Sequence, residues 1–318
     1  MAQFDRLTLG RQAKELGFVR DTFEKVCRLV DVLSLMESDP ALRDSLALKG
    51  GTAINLVFFD LPRLSVDIDL DFAKNLPRDG MMGEREQITD HIQKYMMAAG
   101  YSLSPRSKQY HALDSFVYEY VNAGGMRDNL KIEINYMLRC HVQPLSRRTV
   151  ELPWRDDLLT VLCVDPLEIF AAKAVALMNR AAARDLYDMY SLQRDGRMDF
   201  ASTVFFRQCI LFYKVIASEK VPEHISLEAI DGITEQKIKT DLTPVLRRAS
   251  HFQLEEAKEK VKEYLWGIML PEGDLSFWKA FAEGKYRPEL LFDDLETLER
   301  IREHPMALWK CGKNAGNQ

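Results

Sequence analysis

The 318-residue chain is 47% hydrophobic and 29% charged, a balance that argues against a disordered or low-complexity protein and leaves room for roughly two domains. Its net charge of −5 and pI near 5.8 lend no bulk support to a nucleic-acid partner, although a local patch can outweigh the total. Five scattered cysteines with no CxxC pair speak against a disulfide framework or a zinc site, and no apolar run approaches the ~18 residues of a membrane span.

The opening MAQFDRLTLGRQ lacks the basic start and apolar stretch of a secretory signal, so the expected location is the cytoplasm, with no membrane partner. Over residues 18–36, Phe23, Val26, Cys27, Val30 and Leu33 recur at helical spacing. Residues 41–48 read as a second, short helix running into Gly50 and Gly51, and TAINLVFF after them as another helix opening. The period then changes. In LSVDIDLDF, Val66, Ile68, Leu70 and Phe72 alternate with Asp67, Asp69 and Asp71, which is strand periodicity. An amphipathic helix carrying Ile88, Ile92, Tyr95, Met96 and Ala99 stops at Gly100. SFVYEYV and LKIEINYML read as two strands joined by the turn NAGGMRDN, and TVLCV as a shorter strand. DPLEIFAAKAVALM opens a helix with Asp165 as cap and Pro166 in the first turn.

Beyond about residue 200 strand signals stop; FQLEEAKEKVKEYLWGIM and PELLFDDLETLERIREH read as helices and the tail KCGKNAGNQ as disordered. The expected fold class is α+β: a mixed-sheet core with N-terminal helices over residues 1–200 and an all-helical C-terminal domain over 201–318. The arginine pairs at 147–148 and 247–248 read, taken alone, as solvated surface.

The chemistry concentrates in KGGTAINLVFFDLPRLSVDIDLDF. A Gly-Gly-Thr turn at a helix start offers unblocked backbone N–H groups and the positive end of the helix dipole to phosphate oxygens, though Gly-Gly by itself is also an ordinary turn. Asp67, Asp69 and Asp71 share one face of a strand, where like charges repel unless the face is well solvated or binds a cation. Hard oxygen donors with no interleaved His or Cys suit Mg²⁺ or Mn²⁺. Asp71 is the member that could simply end the strand. In LKIEINYML, Glu133 points away from the apolar face made by Leu130, Ile132, Ile134 and Tyr136. Should that strand pair beside residues 66–72, Glu133 can join the aspartates; otherwise it is an exposed strand glutamate.

A Gly-Gly-Thr turn, a spacer ending in Arg-Leu-Ser, Asp-x-Asp, and a strand with a central acid together resemble the nucleotidyltransferase superfamily. They are more closely similar to the AbiEii/AbiGii toxin family, which includes the MenT toxins. AAKAVALMNRAAARDLYDMYSL and GKYRPELLFDDLETLERIREHPMALWK extend the resemblance over residues 41–310. The glycine-to-aspartate spacer is long for the superfamily but ordinary for this subfamily. The resemblance implies a nucleotidyltransferase-like fold in which Gly50, Gly51 and Thr52, with Ser65 and Arg184, hold an NTP. It also implies that Asp67 and Asp69 bind metal, Glu133 is the third acid, Lys173 the motif lysine, and Asp185 or Asp188 the final motif aspartate. On one continuous helix, Arg180, Arg184 and Asp188 fall within about 60° of Lys173 and Asp185 about 120° away. A helix broken before Arg184 would instead let Asp185 cap the next helix, and the sequence leaves both open. The bland readings are a snorkelling surface Lys173 and an i,i+4 pair of Arg184 with Asp188.

The resemblance further implies Mg²⁺ (or Mn²⁺)-dependent transfer from an NTP, with the 3′ end of tRNA as acceptor. It implies growth arrest, a role in phage defence and a cognate antitoxin. A protein or small-molecule acceptor, or a catalytically inactive NTP-binding regulator, are the competing expectations.

Overall fold

The computed structural model describes residues 4–196, 198–269 and 275–316. The chain divides into two compact units, and the division crosses the chain repeatedly: the first holds residues 1–139, 145–164 and 244–250, the second 140–144, 165–243 and 251–318.

The first unit is built on a mixed sheet of eight strands: β1 Leu46–Lys49, β2 Asp67–Phe72, β3 Ser102–Leu103, β4 Lys108–Gln109, β5 Leu113–Val121, β6 Arg127–Asn135, β7 Ser146–Val150 and β8 Leu159–Cys163. Their order is β3-β5-β6-β2-β1-β8-β7, with β4 also on β5. β2 lies at the centre, antiparallel to β1 and parallel to β6. Its alternation is the sequence pattern made physical: Ile68, Leu70 and Phe72 are buried, and the intervening aspartates lie on the other face. Helices α1 Arg6–Leu16, α2 Arg20–Ser38, α3 Pro40–Arg43, α4 Gly50–Ala53 and α5 Arg78–Ala98 complete the unit. α2 packs Phe23, Val26, Leu29, Val30 and Leu33 into the core, as its period predicts.

Three expectations about local structure are corrected here and one is upheld. Residues 41–48 do not form one helix: α3 ends at Arg43 and Leu46–Lys49 is strand β1, because pairing on both sides with β2 and β8 overrides the helical preference of Leu-Ala-Leu-Lys. Arg147 and Arg148 are exposed, as read, and Arg147 makes surface ion pairs from β7 to Glu37 at 2.5 Å and Asp44 at 2.6 Å. Arg247, in contrast, is half-buried and donates to the Asp60 and Leu61 carbonyls at 3.0 and 3.1 Å. Residues 310–316, expected to be disordered, lie in a helix, and 317–318 fall outside the described residues.

The second unit carries α6 Pro166–Arg180, α7 Ala183–Asp195, α8 Val204–Ala217, α9 Glu235–Lys237, α10 Leu254–Met269, α11 Ser276–Ala282, α12 Leu295–Ile301 and α13 Pro305–Gly316, with no strand among the described residues. Asp165 caps α6 as predicted, accepting from the Leu167 N–H at 2.9 Å. The helix expected over residues 288–304 is broken, because Asp294 caps a fresh start at α12 by accepting from the Thr297 N–H at 2.7 Å. A buried knot holds the start of this unit. Glu168 meets His141 Nδ1 at 2.8 Å and accepts from the Gln143 N–H at 3.0 Å and from the Tyr213 hydroxyl. Burial alone would raise the Glu168 pKa, but the charge and hydrogen bond of His141, with the Gln143 and Tyr213 bonds, hold it below the ordinary carboxylate range.

Candidate functional site

The acidic face of β2 meets the glycine turn at close range. β1 ends at Lys49, and Gly50 follows with φ +67, a left-handed conformation that side chains disfavour. A β-carbon placed on Gly50 would lie 2.5 Å from Asp69 Oδ2, so any other residue there would have to push that carboxylate or the turn aside. A β-carbon on Gly51 would lie 2.8 Å from an Arg63 guanidinium nitrogen and 3.0 Å from Ser65 Oγ. The turn is tied down from within. The Thr52 hydroxyl donates to the Asp67 carbonyl, and Asn55 Nδ2 donates to the Gly51 carbonyl at 2.7 Å. Thr52 is buried, and its side chain anchors the turn to β2.

α4 runs on into a wide helical turn over Ile54–Phe58, and the spacer before Asp67 is shaped by residues 244–250 of the same unit. The Leu64 N–H donates to the Val245 carbonyl at 2.8 Å, Arg63 bridges to Leu246, and Arg247 holds the loop where Leu61 takes φ 51. Arg63 itself is buried and donates to the Leu64 carbonyl at 2.9 Å. The long spacer is thus an ordered loop that delivers Ser65 beside Gly51.

Across the sheet, register decides what faces Asp67 and Asp69. Glu133 on β6 sits directly opposite Asp69, so the strand pairing on which its membership of the acidic group depended is present. Lys131 sits opposite Asp67 and forms an ion pair with Glu133 at 2.9 Å. Asp71 is buried and bound by Lys49 Nζ at 2.5 Å. Among the described residues no three His, Cys, Asp or Glu side chains are arranged to hold a metal ion. Asp67 and Asp69 nonetheless fit a hard divalent cation: both are half-buried carboxylates on one face, one of them against a glycine cradle. Mg²⁺ in particular is held by one or two carboxylates, with water and substrate phosphates completing its shell.

The other predicted residues lie in the second unit. α6 ends at Arg180, Ala181 takes φ 48, and α7 starts at Ala183, so the helix breaks just before Arg184. The continuous-helix angles therefore do not apply. Asp185 does not cap α7 either: Ala182 holds that position, and Asp185 lies in the first turn. Its side chain turns back to Lys173 at 2.7 Å and Arg180 at 2.9 Å, while Asp188 meets Lys173 at 3.1 Å. Both aspartates are 1% exposed. The two together flank one ammonium. Burial would raise the Asp185 pKa, yet Lys173 and Arg180 outweigh it and keep the carboxyl below its usual range. Lys173 is no snorkelling surface lysine, and the hydrogen bond recorded for Arg184 Nε goes to the Asp241 carbonyl at 2.7 Å.

Two members of the first unit's group were missed in the sequence: Lys49 and Arg63. A lysine immediately before the glycines and an arginine two residues before Ser65 carried a signal, since three aspartates on one strand face require nearby cations.

A sequence search finds no match among curated proteins. The fold is similar to that of the nucleotidyltransferase toxin MenT4 from Mycobacterium tuberculosis H37Rv, at 15% identity and a TM-score of 0.66, covering 96% of this chain and 99% of that one. The family model described as nucleotidyl transferase AbiEii toxin, type IV TA system, matches residues 33–267, more than half of the sequence. With the glycine turn, the paired aspartates and this match in hand, the chain belongs to the AbiEii family of nucleotidyltransferase toxins of type IV toxin–antitoxin systems.

Proposed function

We propose that this chain is an Mg²⁺-dependent toxin that transfers nucleotides from an NTP to the 3′ end of tRNA and so arrests growth. The observation that carries the proposal is the packing of Gly50 against Asp69, which supports reading the turn as a phosphate cradle and the carboxylate as a metal ligand. The backbone of Gly50, Gly51 and Thr52, with the Ser65 hydroxyl, receives the triphosphate. Asp67 and Asp69 hold the cation, and Glu133, across from Asp69, serves as a further ligand or as the base for the acceptor hydroxyl. A bound Mg²⁺ neutralises charge on the triphosphate and favours ionisation of that hydroxyl. The hydroxyl gives its proton to Glu133 acting as base, or to solvent water where Glu133 is a ligand; its oxygen bonds to the α-phosphorus, the α–β phosphoanhydride bond breaks, and pyrophosphate leaves. Lys173 bears on nucleotide charge, with Asp185 and Asp188 holding its ammonium in place, and Arg184 contributes to nucleotide binding.

Growth arrest by such a toxin fits a role in phage defence in the cytoplasm, under the control of a cognate antitoxin. Among the described residues no helix is long and apolar enough to cross a membrane.

Incubation with each α-³²P-labelled NTP, Mg²⁺ and total RNA tests the reading. Label is expected at the 3′ end of tRNA, and label in protein or in a small molecule would redirect the acceptor. Asp67→Ala is expected to lower transfer about a thousandfold, corresponding to roughly 4 kcal/mol, without unfolding the protein. A folded Asp67→Ala protein working at the wild-type rate would remove the metal from the argument.

A further inference from the structure

The acidic face of β2 and its neighbours carries more charge than a metal pair needs. Asp67, Asp69 and Asp71 lie on β2 and Glu133 on β6, with Lys49 and Lys131 among them. Lys131 pairs with Glu133. Lys49 stands directly opposite Asp69 in the β1–β2 register, yet its ammonium reaches diagonally, two residues along β2, to Asp71. The Asp71 side chain is 4% exposed and that of Lys49 is 23% exposed. A carboxylate buried so deeply is stable as an anion only beside a cation, and Lys49 supplies it.

Lys49 is also the last residue before the turn. Its backbone is extended, and the next residue enters the left-handed conformation that brings Gly50 against Asp69 Oδ2. The side chain of Lys49 is thus fastened to β2 at one end, while its backbone delivers the turn at the other. The Thr52 hydroxyl on the Asp67 carbonyl fastens the far side of the turn to the same strand.

We infer that the Lys49–Asp71 pair is a positioning clamp: it sets the distance of the Gly50–Gly51 turn from Asp69 and takes the third aspartate of DIDLDF out of metal coordination. The inference rests on the metal and nucleotide reading above. Neither residue touches the nucleotide; each acts through the placement of Gly50 and Asp69. Loss of the clamp lets the turn drift from its carboxylate, and loss of Asp71 alone leaves an unanchored ammonium beside a metal ligand.

The test is Mn²⁺ binding to the full chain, followed by its electron paramagnetic resonance, with and without a non-hydrolysable NTP analogue. Asp71→Asn keeps the shape and removes the anchor. Lys49→Met with Asp71→Leu removes both charges together, a change that buried ion pairs tolerate in stability, so the doubly substituted protein keeps the question open if a single variant fails to fold. Both proteins are expected to bind Mn²⁺ with the analogue about tenfold to a hundredfold more weakly, the range seen when partners that orient metal ligands are lost. Lys49→Arg, which preserves the pair, is expected to remain within about threefold of wild type, a difference of less than 1 kcal/mol. A folded double variant with wild-type affinity, alongside an Asp69→Ala protein that has lost it, would overturn the clamp and leave the metal site standing. Unchanged Mn²⁺ affinity in Asp69→Ala would overturn the metal site and the clamp with it.

Discussion

Single residues do unequal work around the β2 face. Gly50 is required twice over, by its φ of +67 and by the 2.5 Å that separates its missing β-carbon from Asp69 Oδ2. Gly50→Ala is therefore expected to cost about 1 kcal/mol or more in stability from backbone strain alone. It should cost more in nucleotide affinity, because the added methyl must push the turn or the carboxylate aside. A melting curve and a titration with a fluorescent NTP analogue separate the two effects; wild-type affinity in a folded Gly50→Ala protein would mean that the close approach is irrelevant. Thr52 differs in kind from its neighbours. Its hydroxyl is turned inward to the Asp67 carbonyl, so its contribution is to hold β2 and the glycine turn together.

Among the elements, the loop between α4 and β2 depends on a segment far away in the chain. Residues 244–250 hold it through the Val245 carbonyl, the Arg63–Leu246 bridge and the Arg247 side chain, which also lies 5.4 Å from the centre of the Phe18 ring. Leu61 keeps a φ of 51, a conformation that costs a non-glycine residue about 1–2 kcal/mol. Arg247, bonded to the carbonyls of Asp60 and Leu61, offsets that strain. Arg247→Ala is expected to lower stability by about 1–3 kcal/mol, since hydrogen bonds from a charged donor are among the stronger ones. Its nucleotide affinity should fall too, as Ser65 loses its support. Chemical denaturation read beside NTP binding checks both, and an Arg247→Ala protein equal to wild type in each would refute the strap.

At the scale of the molecule, the second unit carries a pH dependence. Asp185 and Glu168 are buried and have folded-state pKa values below their ordinary ones, held there by Lys173 and Arg180 in one case and His141 in the other. Carboxyls depressed in the folded state stabilise it fully above their unfolded values, about 4, and that contribution is lost as pH falls through the lower folded values. The urea midpoint of this unit is expected to hold steady down to about pH 5 and to drop progressively below it. Glu168→Gln should lower the midpoint at neutral pH and flatten the acid limb, because the remaining amide no longer takes up a proton. An acid limb as steep as that of wild type would clear Glu168 of the role.

Much of this protein could be read from one dimension. The alternation of DIDLDF set the buried and acidic faces of β2, and the cap at Asp165 set the start of α6; both signals are local, carried by periodicity and by a side chain bonding its own backbone. The glycine turn and the two aspartates were legible for the same reason, since they sit within twenty residues of one another. Tertiary structure alone decided three things. β1 became a strand, against its helical composition, because strands on either side supply its hydrogen bonds. Lys49 chose Asp71, and Asp185 and Asp188 came to share Lys173, because burial leaves a carboxylate no alternative to the nearest cation. The division into two units, which puts residues 244–250 with the sheet, follows contacts between segments more than a hundred residues apart, for which a linear pattern carries no signal.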